Sequence, residues 1–229
     1  MSRVVLVLQA RTGSSRLPGK ALRPLAGRPM VEHVLRRVTA MRGTDAVVLA
    51  TTVHERDRPL VDLAAAHGLP VYCGSERDVL GRVRGAAASH RADVVVRVTG
   101  DCPLWAPDVA EEVLRVFQRQ PVATDYLSND TSTTGWPDGT DVEVFTREAL
   151  EAAATHATGP EDREHVTRWI RRERMWGALA CEVGNFAHLK LSVDSMDDYD
   201  RVARVYAHLA GGDLRFSATI EAARAAGLL

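Results

Sequence analysis

Between residues 4 and 118 the chain alternates apolar runs of strand length with segments of helical periodicity, and few architectures accept that order. Val4–Gln9, Ala46–Ala50, Leu69–Cys73 and Asp93–Val98 read as strands. The first and last are nearly unbroken in valine and leucine, as strands covered on both faces are. Met30, Val34, Leu35, Val38 and Met41 recur at helical spacing, and Leu60–His67 (closed by Gly68), Asp78–His90 and Asp108–Gln118 also read as helices. Such repetition predicts a mostly parallel sheet with helices on both faces, since each crossover lays its helix back on the sheet.

Beyond about residue 121 the texture changes. Asp125 to Asp138 is rich in Thr, Ser, Asn, Gly and Pro and reads as an active-site loop or a short protruding arm. Asp141–Phe145, Ala178–Val183 and His188–Val193 read as strands, and Arg147–Thr155, Glu161–Arg172, Asp197–Ala210 and Ser217–Ala226 as helices. No repeat and no long linker divides the chain, so one domain over 1–229 is expected, with 121–187 as an acceptor-side and dimerisation insertion.

Composition narrows the class of ligand. Forty-five per cent apolar and 26% charged residues suffice for a sizeable core, and 5% aromatics offer no stacking platform for single-stranded nucleic acid. A net charge of −1 gives no bulk basic field to recruit DNA or a membrane. The three cysteines, Cys73, Cys102 and Cys181, have no metal-ligand spacing. With no signal peptide and no membrane-length apolar run, a reduced cytoplasmic protein is expected. The charge is unevenly placed: residues 1–42 hold nine Arg or Lys against one acid, Glu32, and are net +8 within an otherwise acidic chain. Only two lysines occur, Lys20 and Lys190.

Three segments carry chemistry. The first strand runs into Ala10-Arg11-Thr12-Gly13-Ser14-Ser15-Arg16-Leu17-Pro18-Gly19-Lys20, a loop of small residues with three cations. Five residues separate its glycines and alanine follows the lysine, so it is no Walker A loop, and no dinucleotide fingerprint follows the strand. It can cradle a phosphate through backbone N–H groups and point charges, or be a βα turn with solvated cations. In the second, Val94–Thr99 ends in Gly100-Asp101-Cys102-Pro103, which sets a carboxylate at the sheet edge where open α/β proteins bind ligands and where Mg²⁺ can be held against phosphates. In the third, alternation over Leu189–Val193 sets Lys190, Ser192 and Asp194 opposite the core, with Asp194 as a second strand-end carboxylate. Ser195 suits a helix N-cap, and Asp197 and Asp198 its first turn.

These segments resemble the nucleotide loop and the strand ends of the sugar-activating cytidylyltransferases. They resemble in particular the spore-coat polysaccharide F-type branch, related to the acylneuraminate and ketodeoxyoctonate enzymes. Further matches are Gly74-Ser75-Glu76-Arg77-Asp78-Val79-Leu80, Asp125-Tyr126-Leu127-Ser128-Asn129, Pro137-Asp138-Gly139-Thr140-Asp141-Val142-Glu143, Asp162-Arg163-Glu164-His165-Val166-Thr167 and Ser192-Val193-Asp194. The resemblance covers nearly the whole chain in order. It departs at Thr12, where this branch often has Met, and at Trp105.

The resemblance implies a three-layer, glycosyltransferase-A-like nucleotidyltransferase fold that transfers CMP from CTP to an acceptor and releases pyrophosphate, in polysaccharide biosynthesis. It implies CTP contacts from Gln9, Ala10, Arg11, Gly13, Ser14, Arg16, Lys20, Gly74, Ser75, Asp78, Thr99 and Asp101. Lys20, Arg16, Asp101 and Asp194 are the implied catalytic groups, with Asp101 and Asp194 holding Mg²⁺. Ser128, Asn129, Asp138, Asp141, Glu143, Arg163, His165 and Lys190 are implied on the acceptor side, although His165 reads equally as a hydrogen-bonded structural histidine. An acidic sugar or a phosphonate or phosphate would suit the arginine, and a neutral sugar hydroxyl the carboxylates. A homodimer is expected, without nucleic-acid or membrane partners. The competing readings are a nucleotide-sugar-dependent glycosyltransferase and a catalytically silent nucleotide-binding subunit. The proposed transfer needs positioning and charge neutralisation, and no nucleophilic side chain.

Overall fold

The computed structural model describes residues 2–119, 124–130, 132–174 and 176–229. Nine strands and nine α-helices are formed among them. β1 (Val4–Gln9), β4 (Ala46–Thr52), β5 (Val71–Gly74) and β6 (Val94–Thr99) pair in parallel in the order β5-β4-β1-β6. β8 (Glu143–Thr146) joins β6 antiparallel, and β7 (Tyr126–Ser128) and β9 (Trp176–Ala178) complete a seven-stranded sheet. β2 (Pro24–Leu25) and β3 (Arg28–Pro29) form a separate small hairpin.

Alternation along the central strands builds the two cores. Leu6 and Leu8 of β1 and Val96 and Val98 of β6 face one way. They meet α1 (Met30–Ala40), α4 (Pro107–Arg119), α8 (Met196–His208) and α9 (Phe216–Ala225). Val5, Val7 and Val95 face the other way, against α3 (Val79–Ser89) and α5 (Arg147–His156). α2 (Arg58–Ala66) sends Leu60 and Ala64 into the first core. The predicted layers, helix, mostly parallel sheet and helix, are thus observed. Among the described residues, no helix is long and apolar enough to cross a membrane.

The sequence expectations fail in four places, all in the second half. The polar stretch Asp125–Asp138 contributes β7, whose three residues are buried within the sheet. The helix expected over Glu161–Arg172 is two helices, α6 (Pro160–Glu164) and α7 (Arg168–Glu173). They are parted by Val166, fully buried at φ 51°. Burial of that valine, with Thr167 donating to Glu143 at 2.5 Å, overrides a helical periodicity that runs straight through. The strand expected at Ala178–Val183 ends at Ala178, and His188–Val193 forms no strand. Residues 189–193 keep the expected alternation, with Leu189, Leu191 and Val193 buried, but their backbone partners are scattered. Asp138 N donates to Leu189 O, Leu191 N to Asp138 O, and Val193 N to Asp101 O. Of the expected 121–187 insertion, residues 121–123, 131 and 175 lie outside the described residues.

Candidate active site

Register places the site. Gln9 at the end of β1 lies beside Thr99 at the end of β6, so the loops that follow leave the same sheet edge side by side. They touch: Gly100 N donates to Gln9 O at 2.8 Å, and a Cβ on Gly100 would lie 2.7 Å from the Ala10 Cβ. Glycine here is a requirement of close approach.

The β1 loop is pinned from below by Asp57, in the short turn before α2. This carboxylate is wholly buried and accepts from Thr12 N at 2.7 Å, from Thr12 Oγ1 at 2.5 Å and from Thr52 Oγ1. Burial opposes its charge, but these hydrogen bonds hold its carboxyl below the usual range. Beyond the anchor, Ser14 N and Gly19 N both donate to Thr12 O, folding the loop on itself so that Lys20 turns back towards the sheet.

The Lys20 ammonium, only 12% exposed, donates to Asp101 Oδ2 at 3.0 Å, Asp194 Oδ1 at 3.1 Å and Val193 O at 2.6 Å. Two carboxylates 93 positions apart in sequence thereby converge on one cation, Asp101 following β6 and Asp194 preceding α8. Burial works against the Asp194 charge, yet Lys20 and Lys190 keep its carboxyl below its ordinary value. Arg16 is largely exposed, with Nη1 3.8 Å from Asp194 Oδ2. Arg11 donates to Glu76 O at 3.2 Å and Glu164 Oε1 at 3.3 Å. Gln9, Ala10, Arg11, Gly13, Ser14, Arg16, Lys20, Thr99, Asp101 and Asp194 line one cavity of about 270 Å³, joined by Ser15, Ala21, Gly100 and Glu164. Cys102 sits beneath it, but burial, reinforced by Asp101, pushes its thiol well above the ordinary value, so no thiolate nucleophile is offered.

A second cavity of about 250 Å³ adjoins the first, sharing Thr99. Ser128, Asn129, Asp141 and Glu143, all expected on the acceptor side, line it with Arg97, Tyr126, Asp130, Val142 and Arg171. Arg97 Nε and Nη2 donate to Gln9 Oε1 at 3.2 and 3.1 Å, and Nη1 pairs with Glu143. Glu143 also accepts from Tyr126 OH at 2.9 Å. Asn129 uses its amide on the backbone of Thr140 and Val142, so it shapes the wall.

The structure sets the other expected residues elsewhere. Gly74, Ser75 and Asp78 are outside both cavities. Asp78 caps α3 through Gly81 N and pairs with Arg163, which also donates to Ala154 O. Arg163 is therefore committed to joining α6 to α3 and does not reach the second cavity. Lys190 pairs with Asp198 at 2.9 Å and Asp194 at 3.3 Å, bracing the second catalytic candidate from behind. Asp138 lies behind the wall beside Ser192, its carboxyl raised by burial with Asp194 and Asp101 adding to the shift. His165 borders an outer opening with Arg168 and Thr167.

Sequence reasoning missed Asp57, Glu164, Arg97, Asp130 and Arg171. Arg97 had a signal, a lone charge inside an otherwise apolar strand; the others lie in ordinary polar segments.

The cytidylyltransferase family model matches residues 5–207. The spore coat polysaccharide biosynthesis protein SpsF of Bacillus subtilis is 29% identical over 215 residues, covering 90% of this chain and 87% of that protein. An 8-amino-3,8-dideoxy-manno-octulosonate cytidylyltransferase of Shewanella frigidimarina is 35% identical over 124 residues, 52% of this chain and 49% of that protein. Among solved structures, a cytidylyltransferase of Leptospira borgpetersenii matches with TM-score 0.92 and 25% identity over 98% of this chain and 95% of that one. A sheet edge carrying a folded cationic loop and two convergent aspartates thus belongs with a match spanning most of the chain: this protein is a member of the cytidylyltransferase family, and a nucleotidyltransferase.

Proposed function

We propose that the protein transfers CMP from CTP to an oxygen of a small acceptor, an acidic sugar or a phosphonate or phosphate, and releases pyrophosphate. The observation that carries this reading is the meeting of Lys20, Asp101 and Asp194 at the base of a loop bearing Arg11 and Arg16. Lys20, Arg16 and Arg11 offer the charge that a triphosphate and a departing pyrophosphate require. The acceptor occupies the second cavity, whose boundary with the first is Thr99. Its oxygen forms a bond to the α-phosphorus as the bond to pyrophosphate breaks, and any proton on that oxygen leaves to solvent.

Asp101 and Asp194 would hold Mg²⁺. Among the described residues no cluster of three or more His, Cys, Asp or Glu is placed for a metal. A pair of carboxylates that already share one cation fits Mg²⁺, which takes one or two protein carboxylates and completes its shell with phosphate oxygens and water. When bound, the ion would screen α-phosphate charge against the incoming oxygen.

Protein incubated with CTP, Mg²⁺ and a panel of acidic sugars and phosphonates is expected to release pyrophosphate. Asp101→Asn should lower turnover at least about 100-fold with little change in melting temperature. The reading fails if another nucleotide shifts the melting temperature and CTP does not, or if Asp101→Asn loses activity only by unfolding.

A further inference from the structure

Gln9, Arg97 and Glu143 stand on neighbouring strands, β1, β6 and β8, and on one face of the sheet. Arg97 pairs in register with Glu143 on one side and Val7 on the other, so Gln9, two residues beyond Val7, is its diagonal neighbour. The guanidinium spans both partners. Its Nε–Nη2 edge donates twice to Gln9 Oε1, at 3.2 and 3.1 Å, while Nη1 donates to Glu143. Glu143 is itself held, accepting from Tyr126 OH at 2.9 Å and Thr167 Oγ1 at 2.5 Å. The Arg97 and Glu143 side chains are 11% and 16% exposed, so solvent screens the pair weakly. Both line the second cavity, whereas Gln9 lines the first.

A glutamine amide can present either end to a ligand, lone pairs from its oxygen or two N–H donors from its nitrogen. A guanidinium only donates, so Arg97 is satisfied by the oxygen alone. That leaves the nitrogen of Gln9, and among the described residues no acceptor takes either of its protons. Reversal of the amide would set its N–H groups against the guanidinium and turn its lone pairs on any anion held by the cations of the first cavity. One rotation therefore creates two unfavourable contacts, and the Arg97–Glu143 pair selects against it.

We propose that Arg97 is a positioning residue for the nucleotide, anchored by Glu143: it orients the Gln9 amide so that its N–H groups are offered to a phosphate oxygen of CTP. This rests on the reading that the first cavity takes CTP. It also gives Glu143 a task on the nucleotide side, since both of its carboxylate oxygens are engaged within the protein.

Calorimetric titration of CTP with Mg²⁺ onto the full chain tests this through a double-mutant cycle. Gln9→Met, close in size but without the donors, should weaken CTP binding at least about fivefold, a difference of about 1 kcal/mol. Arg97→Lys keeps the charge on Glu143 but has no second edge to fork onto Gln9, and should weaken binding about threefold. In the Gln9→Met background the same lysine change should have no further effect, because its route to the nucleotide is gone. Glu143→Gln tests the sign: loss of an acid near a polyanion site tightens binding by charge alone, whereas a loosened Arg97 weakens it. The proposal is overturned by wild-type affinity in Gln9→Met, by an undiminished Arg97→Lys effect in the Gln9→Met background, or by tighter CTP binding in Glu143→Gln. If Arg97→Lys fails to fold, the wild-type protein still decides. Its Gln9 side-chain amide, assigned as the ¹H–¹⁵N pair missing from Gln9→Met, should shift on CTP addition, and an unmoved pair overturns the proposal. If the wild-type protein binds no CTP, the reading of the first cavity falls and the proposal falls with it.

Discussion

Removing the Asp57 carboxylate should loosen the loop that follows β1. In Asp57→Ala, Thr12 N loses its acceptor inside a wholly buried site, and the hydroxyls of Thr12 and Thr52 lose a charged one. Hydrogen bonds to a charged group contribute about 1.5–3 kcal/mol each, and an orphaned buried N–H costs about 1–3 kcal/mol. Thr12 Oγ1 also donates to Arg56 O at 3.3 Å, so part of the loss is recovered. The three bonds add to about 4.5–9 kcal/mol, but removing the carboxylate also releases the cost of burying its charge, which leaves a destabilisation of about 3–5 kcal/mol, a large fraction of a typical domain's stability. Asp57→Asn can keep one acceptor towards Thr12 N and should cost about half as much. Urea unfolding of the three proteins measures the stability term, and CTP titration at a temperature where all are folded measures the functional one. CTP affinity should fall at least about tenfold in the alanine variant, because Thr12 O also accepts from Ser14 and Gly19 and so sets the loop's shape. A cost below about 1 kcal/mol would refute the anchoring. Full destabilisation with unchanged CTP affinity would make Asp57 a support of the fold alone.

Two other outcomes follow from the same geometry. Gly139 has φ 98°, and a Cβ there would sit well inside van der Waals contact distance of Ser192 N and 2.5 Å from Leu191 C. Gly139→Ala should cost more than about 2 kcal/mol and displace the 189–194 segment that ends in Asp194, lowering CTP affinity as well; a wild-type melting temperature would refute this. Asp57, Asp78, Asp130, Asp194 and Asp198 are all held below the ordinary carboxylate range, since cations and hydrogen bonds outweigh the burial that opposes their charge. A depressed folded-state value adds stability above the unfolded value, near 3.9, and that stability is lost as pH falls through the folded value. The melting temperature should therefore slip slightly as pH falls below about 6.5, where buried His33 resists protonation, and fall steeply only below about pH 4, with Asp198→Asn losing more at pH 7 than at pH 3. A fall already complete at pH 5 would refute it.

The parallel half of the fold was legible because each strand is an apolar run and each helix keeps its period, and loops at one edge follow from topology. Lys20, Asp101 and Asp194 could be selected in sequence as a loop cation and two strand-end acids, and they meet. The antiparallel half was not legible in the same way. β7 is three residues in a polar segment whose strand character comes from its neighbours in the sheet, and Val166 leaves the helix because its side chain has a buried place to fill. Arg163 shows the limit most plainly. A motif can identify an arginine, but only the fold shows that Asp78, 85 positions away, has already taken it.

An ammonium group has three protons to donate, and Lys20 spends all three, on Asp101, Asp194 and the Val193 carbonyl. A phosphate oxygen can reach this lysine only if one of those acceptors gives it up. Under the proposed function, nucleotide capture would be an exchange of partners, in which the aspartates released by Lys20 would need a new counter-ion as the triphosphate gained the lysine. The ligand-free site stands self-neutralised, and any affinity for CTP at this lysine would carry the cost of opening that internal pair.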